Sequence, residues 1–243
     1  MMQLVPPAGR RLVWYLALEE YLARRVTEET VFFWSVDPTV IFGRHQVIED
    51  EVNLDYCRSH GVAFYRRKSG GGCVYADQGN LMTSYLSPST HMEQVFLHYL
   101  DRMSDALRGL GVPAVRSEHN DILVRDVTES EERFCKVSGN ACYALPTGTI
   151  VHGTMLFDVD FDALQQAITP SHDKLAKHGV QSVRQRVTNL RPMTSLRNVD
   201  ELSERLAKAL CTEQRTLTAD EIAATDALEQ TYLDPNFIYG HHL

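Results

Sequence analysis

Residues 65–81 read YRRKSGGGCVYADQGNL. Three consecutive glycines give up more backbone freedom on folding than any other three residues. A chain that keeps them between apolar, β-branched flanks must need what only they supply. A loose turn between two strands is the simplest reading, since glycine takes positive φ without steric cost. A tight turn seldom needs three, however, and Arg66, Arg67, Lys68 and Ser69 stand directly before them. Backbone N–H groups without Cβ neighbours can converge on an anion as a nest, and arginine adds a bidentate fork for carboxylate or phosphate. The stretch therefore predicts a cradle for an acidic ligand. It is not a Walker loop, because no GK[ST] follows and a strand, not a helix, comes next.

Such a cradle would be a local concentration of cations on an acidic body, for 24 Lys and Arg stand against 32 Asp and Glu, a net charge of −8. That balance argues against a general nucleic-acid partner. A chain of 243 residues, 44% hydrophobic, has the material for one large core without staples, and a single domain spanning 1–243 is expected. The five cysteines are odd in number and form no CxxC pair, so neither a disulfide framework nor a zinc site is indicated. No apolar run approaches the roughly 20 residues that cross a bilayer, and MMQLVPPAGRRLVWYL lacks the pattern of a signal peptide. The expectation is a cytoplasmic protein with no membrane partner.

Periodicity places the elements. LVWYLALEEYLARRV carries Leu12, Tyr15, Leu18 and Leu22 at helical spacing, with Glu19, Glu20, Arg24 and Arg25 mostly on another face. TVFFWSV and TVIFG read as strands forming a hairpin around Asp37 and Pro38. EDEVNLDYCRSHG reads as a helix stopped at His60-Gly61, and VAFYRR as a strand running into the glycines. CVYAD and NLMTSYLS continue the strand pattern. A helix follows from about Thr90, with apolar positions 95, 96, 99, 100, 103 and 107, closed by Gly109 and Gly111. AVRSEHNDILVRD and FCKVSGNACYAL look like paired strands joined by TESEE, and TIVHGTMLFDVD like another strand. FDALQQAI, ELSERLAKAL and an acidic segment near the end read as helices, while 170–195 is rich in cations and poor in core residues. Strands in runs with helices between and after them favour an α+β fold, with a mixed, largely antiparallel central sheet flanked by helices.

Four further residues stand out. Lys136 precedes the small-residue turn Ser138-Gly139, although an exposed edge is the commoner fate of a lysine. His152 precedes Gly153 and Thr154, where a satisfied half-buried histidine is the plain alternative. Asn120 and Asp121 open a strand, where turn polarity alone would explain them.

Order and spacing make these pieces a pattern. ALEEYL, FFWSVDPTVIFGRHQ, RRKSGGGCVYADQGNL, NDILV, KVSGNACY, VHGTMLF and KLAKHGVQSVRQRVTNLR follow one another, with NFIYG near the end. In this the chain resembles the lipoate–protein ligase family, the branch of the biotin/lipoate ligase catalytic-domain fold that makes an acyl-adenylate. The resemblance implies a two-step reaction. Lipoate and ATP, with Mg2+, give lipoyl-AMP, and the acyl group then passes to a lysine of an acceptor. The acceptors it implies are the lipoyl domains of 2-oxoacid dehydrogenase complexes and the H protein of glycine cleavage.

The same resemblance distributes the site. Lys136 matches the family's catalytic lysine, which contacts both carboxylate and nucleotide. Arg67, Gly72, Cys73, Val74 and Tyr75 fall where the family contacts nucleotide and acyl group. Ser69, Gly70, Gly71 and Gly72 join Arg67, Lys136 and His152 on the lipoate side. Asn120 and Asp121 fall near the nucleotide, Asp121 being the candidate metal ligand. GVQSVR, with Gly179, Val180, Ser182 and Arg184, matches the loop that closes over the adenylate.

The chain departs from the family at Ala76, where histidine is usual, at Glu118-His119 and at Val151. It stops at Leu243, which reads as a short form without the C-terminal accessory domain. That leaves open two alternatives: a catalytic subunit that needs a separate small accessory subunit, or a lipoyl or octanoyl transferase of the same fold. A transferase would use a cysteine such as Cys73 or Cys135. Both are expected to be packing residues, and strand neighbours such as Cys135 and Lys136 point to opposite faces.

Overall fold

The computed structural model describes residues 1–126, 133–169 and 186–240. The chain begins β1 (Met2–Val5), α1 (Leu12–Ala23), β2 (Thr30–Trp34) and β3 (Thr39–Phe42), followed by α2 (Ile48–Glu51) and α3 (Leu54–Ser59). It continues β4 (Ala63–Arg66), β5 (Val74–Ala76), β6 (Asn80–Ser87), α4 (Met92–Gly109), β7 (Ala114–Arg116) and β8 (Asp121–Asp126). Then come β9 (Arg133–Leu145), β10 (Gly148–Leu156), α5 (Phe161–Ala167), α6 (Val199–Leu210), β11 (Glu213–Thr216), α7 (Ala219–Leu233) and α8 (Pro235–Tyr239). Among the described residues, eight strands form one sheet in the order β11-β1-β2-β6-β10-β9-β8-β7, and β4-β3-β5 form a second. The pairs β11/β1 and β1/β2 are parallel and the rest of the large sheet is antiparallel.

The expected hairpin between TVFFW and TVIF does not form, because β2 and β3 belong to different sheets. The reason is burial on two sides. Val31 and Phe33 pack into the cluster under α4 and α6, while Phe32 and Trp34 pack into the opposite cluster with α1. A strand apolar on both faces belongs inside a covered sheet, so Asp37-Pro38 carries the chain across to the small sheet instead of turning it back.

Helix α1 also departs from its expected amphipathic design. Eleven of its twelve residues are buried, Glu19 and Glu20 among them, because α7 covers the side that periodicity leaves to water. The single helix expected over 49–61 is two pieces. Val52 leaves helical geometry to bridge Ile168, and the Asn53 side chain accepts from Tyr56 N to restart the coil as α3. At the other end, α7 begins with a reciprocal capping box between Thr218 and Glu221. Gly240, at φ +77°, closes α8. No described helix is long and apolar enough to cross a membrane.

Candidate active site

A cavity of about 400 Å³ opens between the two sheets. Two apolar compartments meet along β5. Val74 and Ala76 turn toward the cluster holding Leu16, Trp34, Ile41 and Met82. Cys73 and Tyr75 turn toward the cluster holding Leu156, Leu164 and Ile168. Strand alternation alone makes this division. The polar wall comes from Gly71, Gly72, Arg67, Lys136, Asn140 and His152.

Lys136 reaches the cavity through an irregularity in β9. Lys136 pairs with Leu123 and Ser138 with Ile122, so Val137 is an extra residue opposite the break. A bulge of this kind re-aims side chains. It shifts the alternation, so that Lys136 shares the cavity wall with Gly139 and Ala141, while Val137 enters the core. The ammonium lies 2.7 Å from Asp121 Oδ1, and Arg186 donates to the other Asp121 oxygen. Two cations thus share one carboxylate. Burial pushes the Lys136 pKa below its ordinary value; Asp121 opposes that shift, and Arg186 and Arg67 add to it. A Cβ on Gly139 would meet Nζ and Cε of Lys136, so any larger residue there must displace the end of the lysine side chain.

Arg67 departs from the bidentate anion fork that the sequence suggests. It donates through Nη2 to the carbonyls of Gly70 (2.8 Å) and Gly72 (2.7 Å), and through Nε to Ser69 Oγ (3.1 Å). In a trans peptide the N–H points opposite its carbonyl. By gathering those carbonyls, Arg67 turns the N–H groups of Gly71 and Cys73 away from itself, and both residues line the cavity. The arginine therefore shapes the nest. Burial lowers its pKa to about 10, which still leaves it charged at neutral pH. Gly71 takes φ +95°, and its carbonyl lies so near Gly43 that a Cβ at Gly43 would collide with it.

The other two cations of the run are not anion donors to the cavity. Arg66 donates to the carbonyls of Gly43, Arg44, Gln46, Phe237 and Ile238, and Lys68 lies 2.6 Å from Glu20. Both turn from the cavity because backbone carbonyls and a buried carboxylate stand behind the loop.

His152 lies on β10 with both ring nitrogens engaged, Nδ1 with Glu19 at 2.8 Å and Nε2 with Ser69 Oγ at 2.7 Å. Glu19 in turn accepts from Ser84 (2.6 Å), and Ser84 accepts from Trp34 Nε1 (2.8 Å). A buried line of hydrogen bonds therefore runs from the apolar wall at Trp34 to Ser69 at the foot of the glycine loop. Asn120 and Asn140 exchange side-chain donors for backbone carbonyls at 2.9 Å, which holds the mouth of β8 to β9. The line of Glu19 and the placements of Asn140 and Arg186 were not foreseen, although all three lie within the quoted motifs.

Cys73 lines the cavity beside Gly72, whereas Cys135 is buried in the strand next to Lys136 and does not line it. Gly179, Val180, Ser182 and Arg184, expected over the adenylate, lie outside the described residues, as does the TESEE connection.

A glycine nest, a half-buried lysine and an apolar slot thus meet in one cavity on a mixed sheet. The model of the lipoyl protein ligase A/B catalytic domain matches residues 13–211, and the chain belongs to that family. Lipoate-protein ligase LplJ of Bacillus subtilis is 35% identical over 181 residues, 72% of this chain and 51% of that protein. The chain spans 51–63% of the length of the curated relatives it matches. The structure of a bi-partite lipoate protein ligase from Thermoplasma acidophilum superposes with a TM-score of 0.82 at 27% identity, covering 98% of this chain and 95% of that one. A lipoate-protein ligase A bound with ATP superposes with a TM-score of 0.79, also at 27% identity, covering 98% of both chains.

Proposed function

We propose that residues 1–243 form one catalytic unit that joins lipoate to ATP as lipoyl-AMP and passes the acyl group to a lysine of a lipoyl domain. One observation carries this reading: Lys136 lines the same cavity as the two apolar compartments and as Gly71 and Cys73, whose N–H groups Arg67 turns outward. An amphipathic acid fits the compartment of Leu16, Trp34, Ile41 and Met82 with its carboxylate at Lys136. The compartment of Tyr75, Leu156, Leu164 and Ile168 then takes the nucleoside.

Lys136 holds oxygen as it changes from carboxylate to phosphate-linked ester; its compact charge suits a moving target. The Gly71 and Cys73 N–H groups stabilise the charge that builds between the two anions. Asp121 keeps Lys136 and Arg186 apart and oriented. Asn120 and Asn140 fix the mouth, His152 and Ser69 fix the foot of the loop, and Val74 supplies wall. We assign Gly179, Val180, Ser182 and Arg184 to closure over the adenylate, where excluding water protects the anhydride.

Asp121 is the carboxylate beside Lys136. Its two oxygens already face Lys136 and Arg186, and the described residues hold no cluster of three or more metal-ligating side chains, so they do not fit a protein-held metal. Magnesium would come with the triphosphate, held by its phosphate oxygens and neutralising their charge. The acceptors are lipoyl domains of 2-oxoacid dehydrogenase complexes and the H protein. Five cysteines without a disulfide suit the reducing cytoplasm.

The exposure of Cys73 to the cavity gives one specific support to the transferase alternative. Incubation with ATP, lipoate and magnesium, with and without a lipoyl domain, separates the readings. Lipoyl-AMP formed by this chain alone is the expected result. Adenylate formed only with a second subunit would make this chain half of a bipartite enzyme. Acyl transfer without ATP would overturn the ligase.

A further inference from the structure

The helices at 219–240 lie beyond the stretch that the family model matches, yet they grip the stem of the glycine loop at two points. Arg66 Nε donates to the carbonyls of Phe237 (3.0 Å) and Ile238 (2.9 Å), in the last turn of α8. The same guanidinium holds Arg44 and Gln46 carbonyls at 2.7 Å and lies 4.7 Å over the Phe42 ring. Nε and Nη1 of its fork are both taken by main-chain carbonyls. Lys68 is the second point. Its ammonium is 2.6 Å from Glu20 Oε2 and 4.5 Å over the ring of Tyr232, whose hydroxyl donates to that same oxygen at 3.0 Å.

Adjacent residues of α1 then hold adjacent residues of the loop stem. Glu20 holds Lys68, and Glu19 holds Ser69 through His152. Tyr232 fixes the outer side of Glu20, so the stem is located by α1 and α7 together. Arg67 sits between the anchored Arg66 and Lys68 and sets the direction of the loop N–H groups. A displacement of Lys68 or Arg66 is therefore transmitted directly to the nest.

We propose that Arg66 and Lys68 are positioning residues through which the helices at 219–240 hold the glycine loop in its donor-presenting shape. Neither residue touches the reacting atoms. The effect on rate rests on the ligase reading; the effect on loop order does not.

The test compares Lys68→Met and Tyr232→Phe with Asp226→Asn. Asp226 also ties α7 to the first helix, accepting from Trp14 Nε1 at 2.6 Å and from Arg10 at 3.2 Å, but it has no contact with the loop. Amide exchange and melting are measured on all three, together with pyrophosphate release. Lys68→Met and Tyr232→Phe are expected to speed exchange of amides 69–73 by about 10-fold. They should lower kcat by about 10-fold with KM for ATP and lipoate within about 2-fold, and Lys68→Arg should restore most of both. Asp226→Asn should lower the melting temperature while leaving exchange at 69–73 unchanged. Loop exchange that merely follows the melting temperature across all variants would overturn the proposal, as would unchanged exchange in Lys68→Met. If loop exchange responds as expected while the unaltered protein releases no pyrophosphate, the brace stands and the ligase reading falls.

Discussion

Two lysines, each within about 3 Å of one carboxylate, flank the glycine loop and do opposite things. Lys68 and Glu20 (2.6 Å) form a closed set, with Tyr232 and Arg24 also donating to Glu20. Burial pushes the Glu20 pKa up, but the hydrogen bonds from Lys68 and Arg24 outweigh it and leave the carboxyl below its ordinary range. Lys136 and Asp121 (2.7 Å) form an open set, in which Arg186 draws on the same carboxylate and a glycine leaves room at the ammonium. A shared carboxylate cannot neutralise two cations. Lys136 and Arg186 both line the cavity, and burial lowers the pKa of the ammonium. The difference between the two ion pairs lies in what surrounds each, not in the pair itself.

Removing the open lysine gives the largest effect. Lys136→Ala should lower kcat/KM for adenylation by about 10³-fold with little change in melting temperature, measured by pyrophosphate release and thermal unfolding. Gly139→Ala keeps the lysine and crowds it, and a loss of about 10²-fold is expected in the same assay. A normal rate in that variant would mean that the ammonium need not occupy its observed place. Asp121→Asn tests the sharing. The carboxylate raises the Lys136 pKa, so its loss should move the alkaline fall in kcat/KM to lower pH, with about a 10-fold lower rate at neutrality.

Glu20→Gln, in the closed set, should leave adenylation within a factor of about 10 and remove about 2 kcal/mol of stability at neutral pH. Because the folded pKa of Glu20 is lowered, its contribution is present above the ordinary carboxylate pKa of about 4.3. It is lost as pH falls through the folded value. The stability gap between the two proteins should therefore close on acidification, as followed by urea unfolding at several pH values. Cys73→Ser, the smallest expected effect, should change the rate by less than about 2-fold if the thiol only packs; complete loss of acyl transfer would move the chemistry to the transferase.

The same contrast explains what the sequence could and could not reveal. The glycine nest is legible from its own residues, whereas Lys136 and His152 stand out only through the order and spacing of the family's motifs; Gly71, Gly72, Lys136 and His152 line one cavity. Arg66 and Lys68 looked identical to Arg67 on paper. Their partners, Phe237, Ile238 and Tyr232, lie more than 160 residues away, and no local pattern announces them. Periodicity sets Glu19 and Glu20 apart from the apolar stripe of α1 and is silent about α7, which packs against that helix. The Asp-Pro corner looked like a hairpin because both strands were apolar, although only sheet membership decides which strand pairs with which. β1 and β11 escaped notice for a different reason: four residues each, and the second, Glu213–Thr216, largely exposed and polar at the sheet edge.

That edge has a consequence for how the molecule comes into being. Met2–Val5 is flanked by Glu213–Thr216, about 210 positions later in the chain. During synthesis Met2–Val5 therefore has that side open until Glu213–Thr216 has followed it. Pairing across such a span is slow, and an uncovered strand is sticky meanwhile. Newly made chains should thus depend on holding factors more than finished ones do, and refolding from denaturant should lose material to aggregation as concentration rises.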